Sequence, residues 1–478
     1  MSRLPGLPVA PGGRVHLVGI GGAGMSAIAR VLREAGYPVS GSDQRESTVL
    51  SALRALGVTV EIGHRARRVA GAALVVASAA VPESNVELEA ARTAGIPVLT
   101  RGECLARIVE GLRTVAVAGT HGKTTTSGMV ATMLQVAGRE PTWLLGADLA
   151  RRGAGGHLGG GTVAVVEADE AYQSFLWLAP EVAVVTNVED DHLDHYGGLA
   201  QLIEAFGAFV AATTGTVILC GDDARAAALA AHATGDLVVY GLETPAVDLP
   251  AGLPPDLRIG AEGIETSAEG SRFTLTIDGV PAVPVALRIA GRHNVCNSLA
   301  AAGVGLALGL EPRAVADGLA QFAGASRRFE YRGSVLGADL VDDYAHHPTE
   351  IAATLEAARW GPWRRVLAVF QPHLYSRTQA MWPAFGSALA RADVVVVTDV
   401  YGAREQPIPG VTGKLVVDAV CDAAPGRRVA YLPHLEEAAD YVRGLLRPGD
   451  LLLSLGAGDI TTLPQRVLAH GDAVRPER

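Results

Sequence analysis

Lysine is nearly missing from this 478-residue chain: Lys123 and Lys414 are the two present, and arginine supplies the remaining strongly basic side chains. A lysine kept inside a glycine-rich loop of such a chain therefore stands out. No basic cluster of the kind that follows a nucleic-acid backbone occurs, and the formal net charge is −10. The electrostatic footprint of a DNA- or RNA-binding protein is absent. No apolar run approaches the roughly 18 residues of a membrane span. Met1 to Gly13 is rich in Pro and Gly, with no continuous apolar stretch, and is not expected to be a signal peptide. The four cysteines (Cys104, Cys220, Cys296 and Cys421) form no C-x-x-C pair. They are expected to be small, buried and reduced, as suits a cytoplasmic protein.

What is present is apolar residues, at 49%, and abundant glycine. The length exceeds one ordinary core, so several domains are expected. The chain reads as α/β in three parts. Residues 1–112 hold a short strand from Val15 to Gly19, a glycine-rich turn, a helix from Met25 to Ala35, and buried strands at Ala73–Ala77 and Pro97–Leu99. Alternation of strand and helix predicts a parallel sheet, here Rossmann-like. Residues 113–324 form a central domain like a phosphate-loop ATPase, with strands Thr114–Ala118, Val163–Val166 and Val182–Val185. Between about Asp248 and Ala290 the pattern alternates polar and apolar among prolines and glycines, which predicts a small antiparallel appendage. Residues 325–478 carry strands Arg365–Phe370, Val394–Thr398, Val429–Leu432 and Leu451–Leu455, again Rossmann-like.

The most informative stretch is Gly119-Thr-His-Gly-Lys-Thr-Thr-Thr126, which follows an apolar strand and opens a helix. Glycines let the backbone wrap phosphate oxygens, and a helix N-terminus turns free N–H groups toward negative charge. Lys123 can reach β- and γ-phosphates, and the Thr124 hydroxyl can sit on Mg²⁺. The spacing departs from G-x-x-x-x-G-K-[ST], because position 117 is Val. The next strand ends at Glu167, followed by Asp169 and Glu170, a placement suited to holding Mg²⁺ beside a phosphate loop. The strand after it runs into Thr186-Asn-Val-Glu-Asp-Asp-His-Leu-Asp-His195, a segment able to bind metal or position a carboxylate.

Gly291-Arg-His-Asn-Val-Cys-Asn297 places asparagines at i and i+3 on a helix start, where they either bond a purine edge or cap the helix. Arg327-Arg328-Phe329 follows a domain junction, as an arginine that swings onto a γ-phosphate would, or as a surface pair would. Asp342-Asp-Tyr-Ala-His-His-Pro348 and Gln371-Pro-His-Leu-Tyr-Ser-Arg377 each sit where a strand gives way to a loop. Gly19-Ile-Gly-Gly-Ala-Gly24, with Asp43 downstream, satisfies the dinucleotide fingerprint and keeps an NAD(P)-dependent oxidoreductase open. The physics requires only a diphosphate there, and a nucleotide sugar carries one too. A nucleotide-gated regulator without chemistry is the third reading, which the acidic and histidine-rich loops oppose.

Taken together, these stretches resemble the Mur ligase family from about Val15 to Ile460. The specific pieces are Gly19–Ser26, Gly119–Thr126, Glu167–Glu170, the loop 187–195, Asp342–Glu350 and Phe370–Thr378, with 370–377 similar to the alanine-adding type. A sister type that recycles murein peptide is the alternative. The resemblance implies a UDP-sugar-binding domain, an ATP-binding domain and a third that closes over ATP and amino acid. It implies a cytoplasmic enzyme, monomer or homodimer, joining L-alanine to the lactyl carboxylate of UDP-N-acetylmuramate at the expense of ATP, with Mg²⁺.

By motif, the resemblance assigns Gly119, Thr120, His121, Gly122, Lys123, Thr124 and Thr125 to phosphates, and Thr124, Glu167 and His192 to metal. Asn294, Asn297 and Tyr344 would face adenine, Asp343 the ribose and Arg328 the γ-phosphate. His346, His373 and Arg377 would line the amino-acid and carboxylate end; Gly21, Gly22, Ala23 and Gly24 would cradle the UDP diphosphate, with His64 near the uridine. Two departures stand out: Ala171-Tyr172 where many relatives have Ser-Asp, and Leu374 where some carry Arg. With no lysine between Lys123 and Lys414, a carbamylated lysine in the central domain is ruled out.

Overall fold

The computed structural model describes residues 4–191, 196–242, 255–403 and 405–469. The chain divides into two compact units, one of Met1–Ile264, Arg272–Leu287 and Asn294–Ala323, the other of Glu265–Ser271, Arg288–His293 and Gly324–Arg478. The secondary structure builds three sheets of five, ten and six strands, an α/β architecture throughout.

In the first unit β1 (Val15–Val18), β2 (Val39–Asp43), β3 (Thr59–Ile62), β4 (Leu74–Ala77) and β5 (Val98–Thr100) form a parallel sheet in the order β3-β2-β1-β4-β5. All four residues of β1 are buried, as expected of a central parallel strand covered on both faces. The following helix spans Ala23–Glu34 and buries Met25, Ile28, Val31 and Leu32. It starts two residues before the expected Met25, because the glycine turn itself winds into the first helical turn.

The ten-stranded sheet comprises β6 (Arg113–Ala118), β7 (Thr142–Leu144), β8 (Gly156–His157), β9 (Val163–Glu167), β10 (Val182–Val185), β11 (Thr216–Cys220), β12 (Asp236–Tyr240), β13 (Leu257–Ser267), β14 (Gly270–Ile277) and β15 (Val280–Leu287). Their order is β15-β14-β13-β12-β11-β10-β6-β9-β7-β8. β6, flanked in parallel by β9 and β10, is the strand that delivers the phosphate loop. β14 and β15 are joined by Asp278-Gly279, both at positive φ (50° and 75°). Asp-Gly in that conformation is the two-residue hairpin turn that antiparallel strands favour. Residues 248–254 of the expected appendage lie outside the described residues; from 257 to 287 it is a run of strands continuing the central sheet.

The second unit contains β16 (Glu330–Val335), β17 (Ala338–Asp343), β18 (Arg365–Phe370), β19 (Val394–Val397), β20 (Arg428–Tyr431) and β21 (Asp450–Leu455), ordered β16-β17-β21-β18-β19-β20. Only β16 runs antiparallel to its neighbour. Alternate residues pack on opposite faces: Val341, Ala368 and Phe370 join Phe385 and Leu389 on one side, whereas Leu340, Leu367 and Val369 join Leu435 and Val442 on the other.

The cysteines depart from the expectation of burial at two positions. Cys104 and Cys220 are buried and Cys296 is half-buried, but Cys421 is exposed. Among the described residues, no helix is long and apolar enough to cross a membrane.

Candidate active site

The phosphate loop leaves β6 through two glycines that no other residue could replace without strain. Gly119 has φ +123°, and a Cβ there would lie 2.1 Å from the Thr186 hydroxyl oxygen. Gly122, at φ +85°, precedes the helix Lys123–Val136, and a Cβ there would lie 2.5 Å from Asn297 Oδ1. Backbone N–H groups in the first turn of that helix have no intrahelical acceptor and are available to an anion. The loop is held from the end of β10: Thr120 N–H donates to the Asn187 carbonyl (3.0 Å) and His121 N–H to Asn187 Oδ1 (2.8 Å). Asn187 Nδ2 donates back to the His121 carbonyl (3.1 Å), and Glu189 N–H donates to Thr120 Oγ1 (2.8 Å). The first residues of the acidic loop thus buttress the phosphate loop.

Lys123 turns its ammonium back into this ring. Nζ donates to both Glu170 oxygens at 2.9 and 2.8 Å and to the carbonyls of Gly119 (2.6 Å) and Thr120 (3.2 Å). Burial pulls its pKa down, but Glu170, Asp169 and Glu167 together outweigh burial and leave it raised, so the lysine is charged. Thr124 is buried at the helix start, and Thr125 is buried beside it. Glu167 ends β9 and accepts from Gly146 N–H at 2.8 Å. Three carboxylates (Glu167, Asp169 and Glu170) face one ammonium, and a hard-oxygen set with excess negative charge fits Mg²⁺. Thr124 and Glu167 are the residues that would hold it. His192 lies outside the described residues.

At the glycine turn of the first sheet, Gly22 caps the helix Ala23–Glu34 without any side-chain hydrogen bond, leaving the first-turn N–H groups open. Asp43, half-buried at the end of β2, accepts from Gly21 N–H through Oδ2 at 2.9 Å and so ties that strand end to the glycine turn. A Cβ on Gly24 would lie 2.9 Å from an Arg101 guanidinium nitrogen. Arg101 in turn binds Asp169 Oδ2 (3.0 Å) and Ser174 Oγ (2.7 Å), linking the glycine turn to the carboxylates after β9. It lies just after β5 and opens a helix behind the Thr100–Glu103 capping box, the local sequence feature that marks it.

His64 is fixed from below by a buried carboxylate that sequence reasoning missed. Ser42 Oγ lies 2.9 Å from His64 Nδ1 and donates to Glu87 Oε2 at 2.5 Å. His16 Nε2 is 3.3 Å from the same oxygen, and Arg65 N–H donates to Oε1 at 2.9 Å. Burial alone would raise the Glu87 pKa; the donors from His16, Ser42 and Arg65 outweigh it and bring the pKa down to about 2.

In the helix Arg292–Ala307, Asn297 Nδ2 lies 3.4 Å from Asn294 Oδ1, so the two amides do share one face.

In the second unit the two motif-bearing loops meet. β17 ends at Asp343, whose Oδ1 and Oδ2 accept from Ala345 N–H (2.8 Å) and Phe329 N–H (2.9 Å). Burial pushes its pKa up to about 6, against the pull of Arg328 and those two N–H groups. The guanidinium carbons of Arg327 and Arg328 lie over the Tyr344 ring, 4.9 and 5.3 Å from its centroid. Rings then continue edge to face, Tyr344 to His346 at 5.0 Å and His346 to His373 at 5.9 Å, with Arg377 3.3 Å from His373 Nδ1. Glu350 anchors this row, 3.5 Å from Arg328 and 3.3 Å from His346 Nδ1. Arg328, Tyr344, His346, His373 and Arg377 are thus gathered into one cluster. His347 has a local task, capping the helix Pro348–Arg359 with Pro348 in its first turn. Leu374, at φ +69°, caps the helix Tyr375–Leu389 in a conformation L-residues rarely hold.

A half-buried lysine in a glycine loop between a parallel strand and a helix, with carboxylates at the next strand end, defines a phosphate-binding α/β protein. The chain belongs to the Mur ligase family: residues 14–113 match its catalytic domain, 117–305 its middle domain and 327–458 its glutamate ligase domain. A relative from Rubrobacter xylanophilus, named UDP-N-acetylmuramate–L-alanine ligase, is 46% identical over 96% of this chain and 100% of its own length. One of the same name from Kineococcus radiotolerans is 48% identical, covering 96% of each chain. The crystal structure of UDP-N-acetylmuramate–alanine ligase from Thermotoga maritima superposes with a TM-score of 0.80 at 29% identity, covering 96% of this chain and 98% of that one. A murein peptide ligase from Psychrobacter arcticus gives 0.72 at 25% identity, covering 97% of this chain and 100% of its own.

Proposed function

We propose that this chain is a cytoplasmic ligase that joins L-alanine to the lactyl carboxylate of UDP-N-acetylmuramate, driven by ATP, in making peptidoglycan precursor. The observation that carries the reading is likeness over nearly the whole chain, at 46 and 48% identity, to relatives bearing that activity in their names. The higher structural likeness to the alanine ligase than to the murein peptide ligase favours L-alanine over a peptide.

The chemistry must make a poor electrophile reactive. A substrate carboxylate oxygen attacks the γ-phosphorus of ATP, ADP departs, and the acyl phosphate that results is attacked by the alanine amine. The tetrahedral adduct collapses with loss of phosphate and a proton, leaving the amide. Two anions must approach each other, so charge neutralisation and positioning supply much of the rate. Lys123 is assigned to the β- and γ-phosphates, where it would exchange Glu170 for phosphate oxygen, and Gly119 to Thr125 supply backbone N–H groups. Thr124 and Glu167 would hold Mg²⁺, which when bound would supply further charge neutralisation at phosphate oxygens. His192 is assigned to a second metal position.

Asn294, Asn297, Asp343 and Tyr344 are assigned to the nucleoside, Arg328 to the γ-phosphate, and His346, His373 and Arg377 to the amino acid and carboxylate. Gly21, Gly22, Ala23, Gly24 and His64 are assigned to the UDP moiety. On this reading residues 1–112 bind the UDP-sugar, 113–324 bind ATP and 325–478 contribute to nucleotide and amino-acid binding.

The test is phosphate release from ATP and Mg²⁺ by the purified protein with UDP-N-acetylmuramate, scanning amino acids singly. Release that needs both the sugar nucleotide and L-alanine is expected. Release that needs a peptide would overturn the amino-acid assignment, and tight NAD(P) binding without release would overturn the ligase.

A further inference from the structure

Two of the four cysteines, 76 residues apart in sequence, meet at the nucleotide side of the central sheet. Cys220 is the last residue of β11 and is 4% exposed; Cys296 lies in the second turn of the helix Arg292–Ala307 and is half-buried. Their sulfurs are 4.0 Å apart. Cys296 is followed by Asn297, whose amide oxygen fills the space a Cβ on Gly122 of the phosphate loop would need. The mechanism above uses neither thiol.

We propose that Cys220 and Cys296 are an oxidative modification site, converted by a hydroperoxide to a disulfide that ties the end of β11 to the helix Arg292–Ala307 and weakens nucleotide binding at the adjoining phosphate loop. This rests on the assignment of ATP to that loop. The sulfurs must close from 4.0 Å to the roughly 2.05 Å of a disulfide. One thiol is also prepared to react. The Cys220 pKa is lowered chiefly by a hydrogen bond from Cys296, against burial, with help from the Asp222 and Asp223 N–H groups, whereas Cys296 is pushed well up and keeps its proton. The Cys220 thiolate attacks one peroxide oxygen and releases the other as water or an alcohol, giving a sulfenic acid. The Cys296 thiol then attacks the sulfenic sulfur and expels water. The thiols together lose two electrons and two protons, which the peroxide accepts.

A metal site is the competing use of the pair, since Asp222 offers an oxygen nearby and the three donor atoms lie within 4.8 Å of one another. Asp222 Oδ2 already accepts from Leu242 N–H at 2.7 Å, and two sulfurs plus one carboxylate fall short of the four ligands of a structural zinc site.

The experiment treats the full-length protein, carrying Cys421→Ser to remove the exposed thiol, with hydrogen peroxide. Peptide mass mapping and calorimetric titration with Mg·ATP follow, before and after dithiothreitol. The expected result is a peptide pair joining Cys220 to Cys296 and two hydrogens lighter, with an ATP Kd raised roughly tenfold, the loss of about one good contact, and restored by the reductant. Cys296→Ser should show neither change. Both thiols remaining alkylatable after peroxide, or an equal loss of ATP affinity in Cys296→Ser, would overturn the proposal. So would stoichiometric zinc uptake that both Cys→Ser variants abolish in a protein that forms no linked peptide. Linkage with no ATP binding in the reduced protein would instead count against the nucleotide assignment on which the functional half rests.

Discussion

Lys123 and Glu170 form a two-pronged ion pair, with Nζ 2.9 and 2.8 Å from the two carboxylate oxygens. The lysine is therefore held charged but pointed at its own protein. On the proposed function, an arriving triphosphate would compete with Glu170 for it. Replacing Lys123 by Ala removes the cation that pairs with Glu170 and lies in the field of Glu167 and Asp169. Turnover should fall by roughly 10³-fold or more, the scale of losing a main charge-stabilising donor. The Kd for UDP-N-acetylmuramate, measured by calorimetry, should stay within about threefold, since that ligand is assigned to the other glycine turn. Equal loss of both would show that Lys123 does not serve ATP.

Gly119 supports a sharper structural prediction. At φ +123° with the Thr186 hydroxyl occupying the Cβ direction, Gly119→Ala combines backbone strain with a collision against the end of β10. The strain alone costs about 1–2 kcal/mol. Melting temperature should drop by roughly 4 °C or more, and phosphate release should be lost even where the variant folds. Thr186→Ala in the same background removes the obstructing oxygen and should recover part of the stability. No recovery relative to Thr186→Ala alone would mean that the backbone nitrogens of Thr186 and Asn187, 2.8 and 3.0 Å from the same Cβ position, set the collision.

What was legible in the sequence was local: apolar strands such as Val182–Val185 and Arg365–Phe370, and glycines that a turn requires. Strands β11 and β12 went unread although Val217–Cys220 and Leu237–Tyr240 are apolar and bounded by Thr213-Thr-Gly215, Gly221-Asp-Asp223 and Thr234-Gly-Asp236. β17 was legible only as a strand giving way to a loop at Asp342, without its bounds. It ends in Asp342-Asp343, and a strand accepts that pair in its core because Arg327, Ser454 and Thr461 reach Asp342 at 3.0, 2.8 and 2.7 Å and backbone N–H groups hold Asp343. The motif residues of the second unit were legible as types, but their meeting in one row of rings required the parallel sheet to bring the ends of β17 and β18 to the same edge. Glu87, Arg101 and the Cys220–Cys296 pair stayed hidden, since each acts through partners distant in the chain and none lies in a recognisable motif.

Tyr344 carries the next prediction. Its ring lies under two guanidinium groups and against His346, a contact set that needs an aromatic face and not a phenol hydroxyl. Tyr344→Phe should therefore leave the KM for ATP within about twofold, whereas Tyr344→Leu should raise it about tenfold, matching the roughly 0.5–2 kcal/mol of a cation–π contact. Steady-state kinetics at saturating UDP-N-acetylmuramate and L-alanine would decide. Equal effects of Phe and Leu would transfer the role to the hydroxyl.

Glu87 links stability to pH with a definite sign. Its folded pKa of about 2 lies below the ordinary value of 4.5, so its charged form is favoured by folding. The contribution is fully present above pH 4.5, reaches roughly 3 kcal/mol there, and is lost progressively as pH falls toward 2. Glu87→Gln keeps the shape but abandons the charge that His16, Ser42, Arg65 N–H and, through Ser42, His64 are arranged around. Urea unfolding should show the variant less stable by roughly that amount at pH 7, with the gap from the parent protein narrowing as pH drops below 4.5. Because His64 is assigned to the uridine, the variant should also bind UDP-N-acetylmuramate more weakly while its ATP affinity stays unchanged. A gap that stays constant across this pH range would show that packing, and not the carboxylate charge, is what Glu87 contributes.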